Sequence, residues 1–271
     1  MRFRLVHIAV ASIALTSAAL AYGEPPRHPR PAQPRASAPK ATNAPKVYQQ
    51  AMVGWHAPVG KSAPVDSTGR PMLVLRSINR NDKVELVAAT DAGGFSARDL
   101  DRAAYALRAM SGDEHPIEPR TLNIIYRIQA HFQAAEIRIV SGYRVPKANS
   151  HSNHGKGRAI DFIVPGTPDA DVAKFAREVG FVGVGIYPTS QFIHVDVRPR
   201  SYFWIDYSGP GKRNRERGIL ADLAIASDKR ATERGERGIA PFLVAPDVDL
   251  ALKARGPVPL APIDDDDEDG D

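Results

Sequence analysis

Phe192-Ile193-His194-Val195-Asp196-Val197-Arg198 alternates apolar and polar side chains from Ile193 onward. Successive side chains of a strand point to opposite faces of a sheet. Ile193, Val195 and Val197 therefore share one face, suited to a core, and His194 and Asp196 share the other. A strand with an imidazole and a carboxylate opposite an apolar face is the form a site takes when it is built on a sheet.

Moving outward, Pro188-Thr189-Ser190 reads as the turn that joins this strand to an earlier one over residues 182–186. Residues 159–164, Ala-Ile-Asp-Phe-Ile-Val, read as another strand, and Asp161 near its start is a carboxylate among apolar neighbours. Residues 168–179 read as a helix. Residues 136–140 read as a strand that runs directly into Ser141-Gly142-Tyr143-Arg144. Further upstream, Pro119 suits a first helical position, and Leu122, Ile125, Ile128 and Phe132 recur at helical spacing. Ser96 with Asp99 three residues later marks a helix start, and Leu100, Ala103, Ala104 and Leu107 follow as one apolar stripe. Residues 72–78 and 83–88 read as strands joined by a turn at Asn81-Asp82. Helices and strands that do not alternate strictly predict an α+β domain with a mainly antiparallel central sheet and flanking helices.

The rest of the 271 residues surrounds this domain. Residues 1–21 read as a secretory signal, with Arg2 and Arg4 before an apolar run and Ala19-Leu20-Ala21 as a small-x-small cleavage pattern. The alternative is an uncleaved N-terminal anchor, and only then does a membrane count as a partner. Residues 22–46 are a Pro- and Ala-rich linker with seven prolines, extended and solvated. The domain itself is assigned to residues 47–207. Residues 208–256 form a charged, partly helical extension, free either to pack on the domain or to stand in solvent. Residues 257–271 form an acidic tail of disordered composition. The chain carries 36 Lys and Arg against 31 Asp and Glu, a net charge of +5. With the acidic residues crowded into the tail, the remainder is more basic still. Such a chain suits nucleic acid, an anionic membrane or an anionic polymer, and export argues against nucleic acid. There is no cysteine, so disulfides and thiolate metal sites are excluded and any metal must be held by His, Asp or Glu.

Of eight histidines, His7 and His28 lie in the leader and linker, and His56, His115 and His131 stand outside any acidic or Gly-rich motif. His151, His154 and His194 remain. His154 and Asp161 fall in Ser152-Asn153-His154-Gly155-Lys156-Gly157-Arg158-Ala159-Ile160-Asp161, where the glycines permit a tight loop into a strand. An unpaired carboxylate at the start of an apolar strand is expensive, and a bound cation offsets that cost. Two His and one carboxylate are a usual ligand set for catalytic zinc, with a fourth position for water. As isolated residues, a His and an Asp seven apart are more often ordinary polar loop groups than metal ligands.

Taken together, Ser141-Gly142-Tyr143-Arg144, Ser152-x-His154-x-x-Gly157-x-Ala159-x-Asp161 and His194-x-Asp196 resemble the zinc D-Ala-D-Ala carboxypeptidases, dipeptidases and murein endopeptidases. The nearest branch is the YcbK-like (MepK-like) murein endopeptidases. The resemblance runs from about Leu73 to Trp204 and implies a hedgehog/D-Ala-D-Ala-peptidase-like fold, a Zn2+ cofactor and peptidoglycan as the partner. It implies His154, Asp161 and His194 as zinc ligands, with a zinc-bound water as nucleophile. Arg144 is implied to orient substrate, and Ser152 to bind substrate or order its loop. The wider family often places Glu or Asp three residues before the last zinc histidine; here that residue is Gln191. Asp196 is then the candidate catalytic base, with a ligand-orienting role as the alternative, and His151 a lesser candidate. The stretch between Arg144 and Ser152 is shorter than the branch pattern, which bears on specificity. The activity so implied is hydrolysis of peptidoglycan cross-links in the periplasm or cell envelope. Release of terminal D-alanine, or peptidoglycan binding without catalysis, are the alternatives.

Overall fold

The computed structural model describes residues 44–148, 150–212 and 218–238. The expected leader, the linker up to residue 43 and the acidic tail lie outside the described residues.

In chain order the elements are α1 (Lys46–His56), β1 (Leu73–Ser77), β2 (Lys83–Leu86), the hairpin β3 (Ala88–Thr90) and β4 (Gly93–Phe95), then α2 (Ala97–Ala106) and α3 (Pro119–His131). β5 (Ile137–Ser141), a 3-10 turn (His154–Lys156), β6 (Ala159–Ile163) and α4 (Asp169–Arg177) come next. β7 (Val182–Tyr187), β8 (Phe192–Val197), β9 (Tyr202–Ile205), β10 (Gly218–Ile219) and α5 (Ala221–Glu233) complete the set. One eight-stranded sheet has the order β10-β9-β7-β8-β6-β5-β1-β2. Its neighbours are antiparallel except β1 with β5 and β7 with β9, which are parallel. The molecule is thus α+β with a mainly antiparallel sheet, as the element pattern predicts.

The alternation read from the sequence sets the two faces. Ile160 and Phe162 of β6 and Ile193, Val195 and Val197 of β8 enter one core with Leu122, Ile125 and Ile128 of α3 and Val172, Ala173 and Ala176 of α4. Each large aliphatic side chain fully removed from water there contributes roughly 1.5–3 kcal/mol. Asp161, His194 and Asp196 alternate with these residues and so face the other side. The helix starts obey their sequence signals. The Ser96 hydroxyl accepts from Asp99 N at 3.1 Å and caps α2, and Pro119 opens α3.

Two features differ from the sequence expectation. The strand expected over 83–88 stops at Leu86, and Ala88 opens the separate β3–β4 hairpin. Helix α1 has no side-chain cap and no acidic residue in its first turn, so its local signal is weak. Tertiary contacts hold it instead: Met52 is fully buried, Tyr48 Oη donates to Ser190 O at 2.6 Å, and Arg138 donates to Gly54 O at 2.8 Å. The extension resolves toward packing at α5. Ala224, Ser227 and Ala231 are buried, and the Asp228 carboxylate accepts from Phe181 N, Ser201 N and Ser201 Oγ at 2.6–2.8 Å. Among the described residues, no helix is long and apolar enough to cross a membrane.

Candidate metal centre

The register of two strands brings the first two donors together: Asp161 of β6 lies directly opposite His194 of β8. On the other side of β6, Ser141 of β5 pairs with Asp161 across a register shift after Ile139. Such a bulge bends a strand and re-aims the residues beyond it, and here it turns Gly142-Tyr143-Arg144 over the end of β6. Gly142 has no room for a Cβ, which would stand 2.4 Å from Leu107 O. His154 arrives from the 3-10 turn, which ends at Gly157 with φ 65°. A Cβ on Gly157 would come within 2.2 Å of Pro116 O, so both the left-handed backbone and the space demand glycine there.

His154, Asp161 and His194 are all buried, and one donor atom from each lies within 4.8 Å of the others. His154 Nε2 is 3.2 Å from His194 Nδ1. Asp161 Oδ1 is 2.8 Å from His194 Nδ1 and Oδ2 is 3.4 Å from His154 Nε2. Ligands on a tetrahedral zinc with bonds of about 2.0–2.1 Å are spaced by about 3.3 Å, so the spacing fits. The tautomers point the same way. His154 Nδ1 faces Gly142 O at 2.6 Å, and a carbonyl can only accept, so the proton of neutral His154 sits on Nδ1 and Nε2 carries a lone pair. His194 Nε2 faces Asp196 Oδ2 at 2.9 Å, which puts the proton there and a lone pair on Nδ1. Two imidazole lone pairs and a carboxylate thus converge with no proton between them, which calls for a cation. Without one, the proton goes to His194. Burial opposes its charged form, but hydrogen bonds to Asp161 and Asp196 prevail and push it up to about 10. Burial likewise raises Asp161, yet His154 and Arg144 hold it well below the usual carboxylate range.

Behind His194 the arrangement is complete in itself. Asp196 is wholly buried. Arg198 donates to both its oxygens at 2.7 and 2.8 Å, and Gly183 N donates to Oδ1 at 3.0 Å. Burial works against this carboxylate, but Arg198 and His194 hold it far below its ordinary value. A general base works best with a pKa near the operating pH. Both oxygens of Asp196 are already occupied by donors, and it meets the ring nitrogen of His194 that points away from Asp161. The geometry suits the orienting role, a carboxylate fixing the tautomer of a metal-ligand histidine, rather than the proton-accepting one.

The other expected residues lie around this group. Arg144 Nε donates to Ser141 Oγ at 2.9 Å and its Nη2 pairs with Asp161 Oδ2, so it borders the centre. Ser152 Oγ accepts from His154 N at 3.3 Å, which orders the loop. His151 is exposed on that loop and is not gathered into the donor group. Gln191 is buried at the β7–β8 turn with φ 57°.

Four contributors were not assigned roles from sequence. Arg198 shares the face of His194 and Asp196 by the same period of two, a signal that was available. Gly183 and Gly185 of β7 lie opposite Asp196 and His194. A Cβ at Gly183 would stand 2.4 Å from Asp196 Oδ1, and one at Gly185 would stand 2.4 Å from Trp204. Glycines inside a strand mark such close approaches. Trp204 of β9 walls the centre, its ring 5.2 Å from that of His194, and no local pattern marks it.

Fold and site together define an α+β protein with a candidate mononuclear metal centre on the face of the sheet opposite the helical core. The chain belongs to the peptidoglycan L,D-endopeptidase MepK family, whose model matches residues 66–202, a span that holds His154, Asp161, His194 and Asp196. It is similar to the probable peptidoglycan L,D-endopeptidase MepK of Haemophilus influenzae, with 34% identity over 148 residues, covering 49% of this chain and 79% of the relative. It is also similar to the peptidoglycan L,D-endopeptidase MepK of Escherichia coli K12, with 26% identity over 151 residues, covering 51% and 82%. The same protein of Shigella flexneri matches to the same extent. No solved structure gives a significant match.

Proposed function

We propose that this chain is an exported, zinc-dependent endopeptidase that hydrolyses L,D-linked peptide cross-links of peptidoglycan in the periplasm or cell envelope. The observation that carries the reading is the buried convergence of His154 Nε2, His194 Nδ1 and the Asp161 carboxylate, three potential ligand atoms within 4.8 Å of one another. The substrate comes from the relatives, named for L,D-endopeptidase action on peptidoglycan. The apolar leader and basic domain agree with it.

His154, Asp161 and His194 hold the zinc in this reading. When bound, zinc supplies Lewis acidity, polarising a scissile carbonyl and lowering the pKa of a water towards neutrality. The chain's own residues do the rest. Gly142 O and Asp196 fix the two imidazole tautomers so that their lone pairs stay aimed inward. Arg198 keeps Asp196 ionised, so that this support survives at neutral pH. Arg144, braced by Ser141, offers a guanidinium to a substrate carbonyl or carboxylate, where a fork of donors orients as well as attracts. Ser152 sets the loop that delivers His154. In domain terms, residues 47–207 form the peptidase unit, preceded by the leader and linker and continued by the charged extension and the acidic tail.

The test is purified protein, its zinc content measured, incubated with L,D-linked and D,D-linked muropeptide dimers and with monomers ending in D-alanine. Loss of the L,D-linked dimer is the expected result. Free D-alanine from monomers would make the chain a carboxypeptidase instead. A second reading, peptidoglycan binding without cleavage, is favoured by Gln191 standing where relatives of the wider family carry a carboxylate. Zinc-loaded protein that leaves every muropeptide intact would select it.

A further inference from the structure

Beside the centre lies a cleft of about 540 Å³, formed by the ends of β1 and β5 and the loop after β5. Four cationic side chains line it, Arg80, Arg108, Arg144 and Lys147, and no Asp or Glu does. Two of these charges have carboxylate partners: Arg108 pairs with Asp82 at 2.9 Å and Arg144 with Asp161. Arg80 is different. Its Nη1 and Nη2 donate to Arg108 O at 3.0 Å, and Nη2 also to Ala109 O. Among the described residues it has no carboxylate partner. Carbonyl oxygens fix a guanidinium in place without neutralising it, and its Nε–H takes no part in these bonds. Arg80 is thus a half-buried, pre-oriented and uncompensated cation facing a cleft that lacks acidic groups.

The sheet order relates this cleft to the chemistry. The donors sit on β8 and β6, and the cleft continues over the ends of the next strands, β5 and β1. Arg144 and Ser152 border both. We infer that the cleft is a subsite for a free carboxylate of the cross-linked stem peptide, with Arg80 as its specificity-determining residue. This deepens the endopeptidase reading and rests on it for the identity of the ligand. Stem peptides carry free carboxylates near their cross-links, and a guanidinium with spare donors recognises a carboxylate and rejects its amide.

The experiment uses the full zinc-loaded chain and one L,D-linked muropeptide dimer in two forms, with its carboxylates free or amidated. Wild type should favour the free form by about 10- to 100-fold in kcat/KM, mostly through KM, the range expected of one charge-assisted hydrogen-bonded contact. Arg80→Gln should abolish that preference by losing only the free form, and Arg80→Lys, which keeps the charge without the Nε–H donor and its fixed orientation, should retain part of it. Calorimetric titration with uncross-linked stem peptides, free and amidated, makes the same comparison without cleavage. An Arg80-dependent preference in binding, with no dimer cut, would remove the endopeptidase reading and leave the subsite standing. Equal handling of both forms by wild type would overturn the subsite whether or not dimers are cut. A preference that Arg80→Gln leaves intact would overturn the assignment to Arg80.

Discussion

The centre on β6 and β8 and the start of α4 treat carboxylates shielded from water in opposite ways. Asp161 and Asp196 are held well below the ordinary carboxylate range, whereas Asp169 is pushed up to about 6. Burial acts against the charged form in all three, so the difference lies in what faces each group. Asp161 meets His154, Arg144 and His194, and Asp196 meets Arg198 and His194. Asp169 has one buried oxygen with no hydrogen-bond partner, and the charge opposing its burial comes from His56. A buried carboxylate thus stays ionised where positive charge is supplied and gives up its charge where little is. Within the centre the same contrast recurs on a smaller scale. Asp196 is satisfied by the protein's own donors, while Asp161 shares its space with the inward nitrogens of two imidazoles in a group that could hold a cation.

The most damaging test of that contrast removes a donor from the incomplete side. His154→Ala should reduce bound zinc from near stoichiometric to near zero, read by elemental analysis. It should lower kcat/KM on the L,D-linked dimer by at least about a thousandfold, since several kcal/mol of charge stabilisation go with the metal. Unchanged zinc content would sink the assignment of the centre. Asp196→Asn acts on the complete side and should do less. Loss of a carboxylate behind a ligand histidine weakens metal binding or activity by about 10- to 100-fold, and excess zinc should restore most of the cleavage. A larger loss at full zinc occupancy, with the acidic limb of the pH profile gone, would return the proton-accepting role to Asp196.

Legibility in the sequence tracked the range over which each signal acts. The alternation of residues 192–198 was a local property of one strand, and it correctly opposed His194 and Asp196 to the core. The stripe of α3 and the Ser96 cap were equally local. Helix α1 was not legible because the contacts that hold it, to Ser190, Gln191 and Arg138, come from residues about 80 to 140 positions away. Trp204 was hidden for another reason: it reaches His194 only through the pairing of β9 with β7. Three candidate ligands were readable as residue types in a motif, but their convergence depends on the Asp161–His194 register and on the β5 bulge, which no single segment encodes. That Gly183 N and Arg198 occupy the oxygens of Asp196 was a matter of side-chain placement rather than pattern.

A smaller effect is expected from the glycine that makes room for the complete side. Gly183→Ala places a methyl 2.4 Å from Asp196 Oδ1 and 2.6 Å from Arg198 Nε, inside a strand where the backbone cannot retreat. Overpacking of this kind costs about 1–3 kcal/mol, which thermal unfolding would register, and zinc affinity should fall with it because Asp196 is displaced from His194. A variant as stable as wild type with unaltered zinc affinity would mean that the Asp196–Arg198 pair moves freely, and the complete side would then not be closed.

The smallest effect belongs to Asp169. It is the first residue of α4, where the helix end favours a negative charge by up to about 1 kcal/mol, so its upward shift to about 6 means that burial outweighs the helix. The unfolded value is about 3.9. Between those two pH values the folded chain binds more protons than the unfolded one, so this group removes stability as pH rises from about 4 to about 6. Asp169→Asn eliminates that penalty. Because the residue is only partly shielded from solvent, the gain above pH 6 should be about 1–2 kcal/mol rather than the full value of the shift. The comparison that isolates it is the difference in unfolding midpoint between variant and wild type, measured at pH 4 and pH 7.5 so that every other titration cancels. That difference should be near zero at the lower pH and positive at the higher. A difference independent of pH would mean that Asp169 ionises as readily in the fold as in water, and the contrast between the start of α4 and the metal centre would then lose one of its two sides.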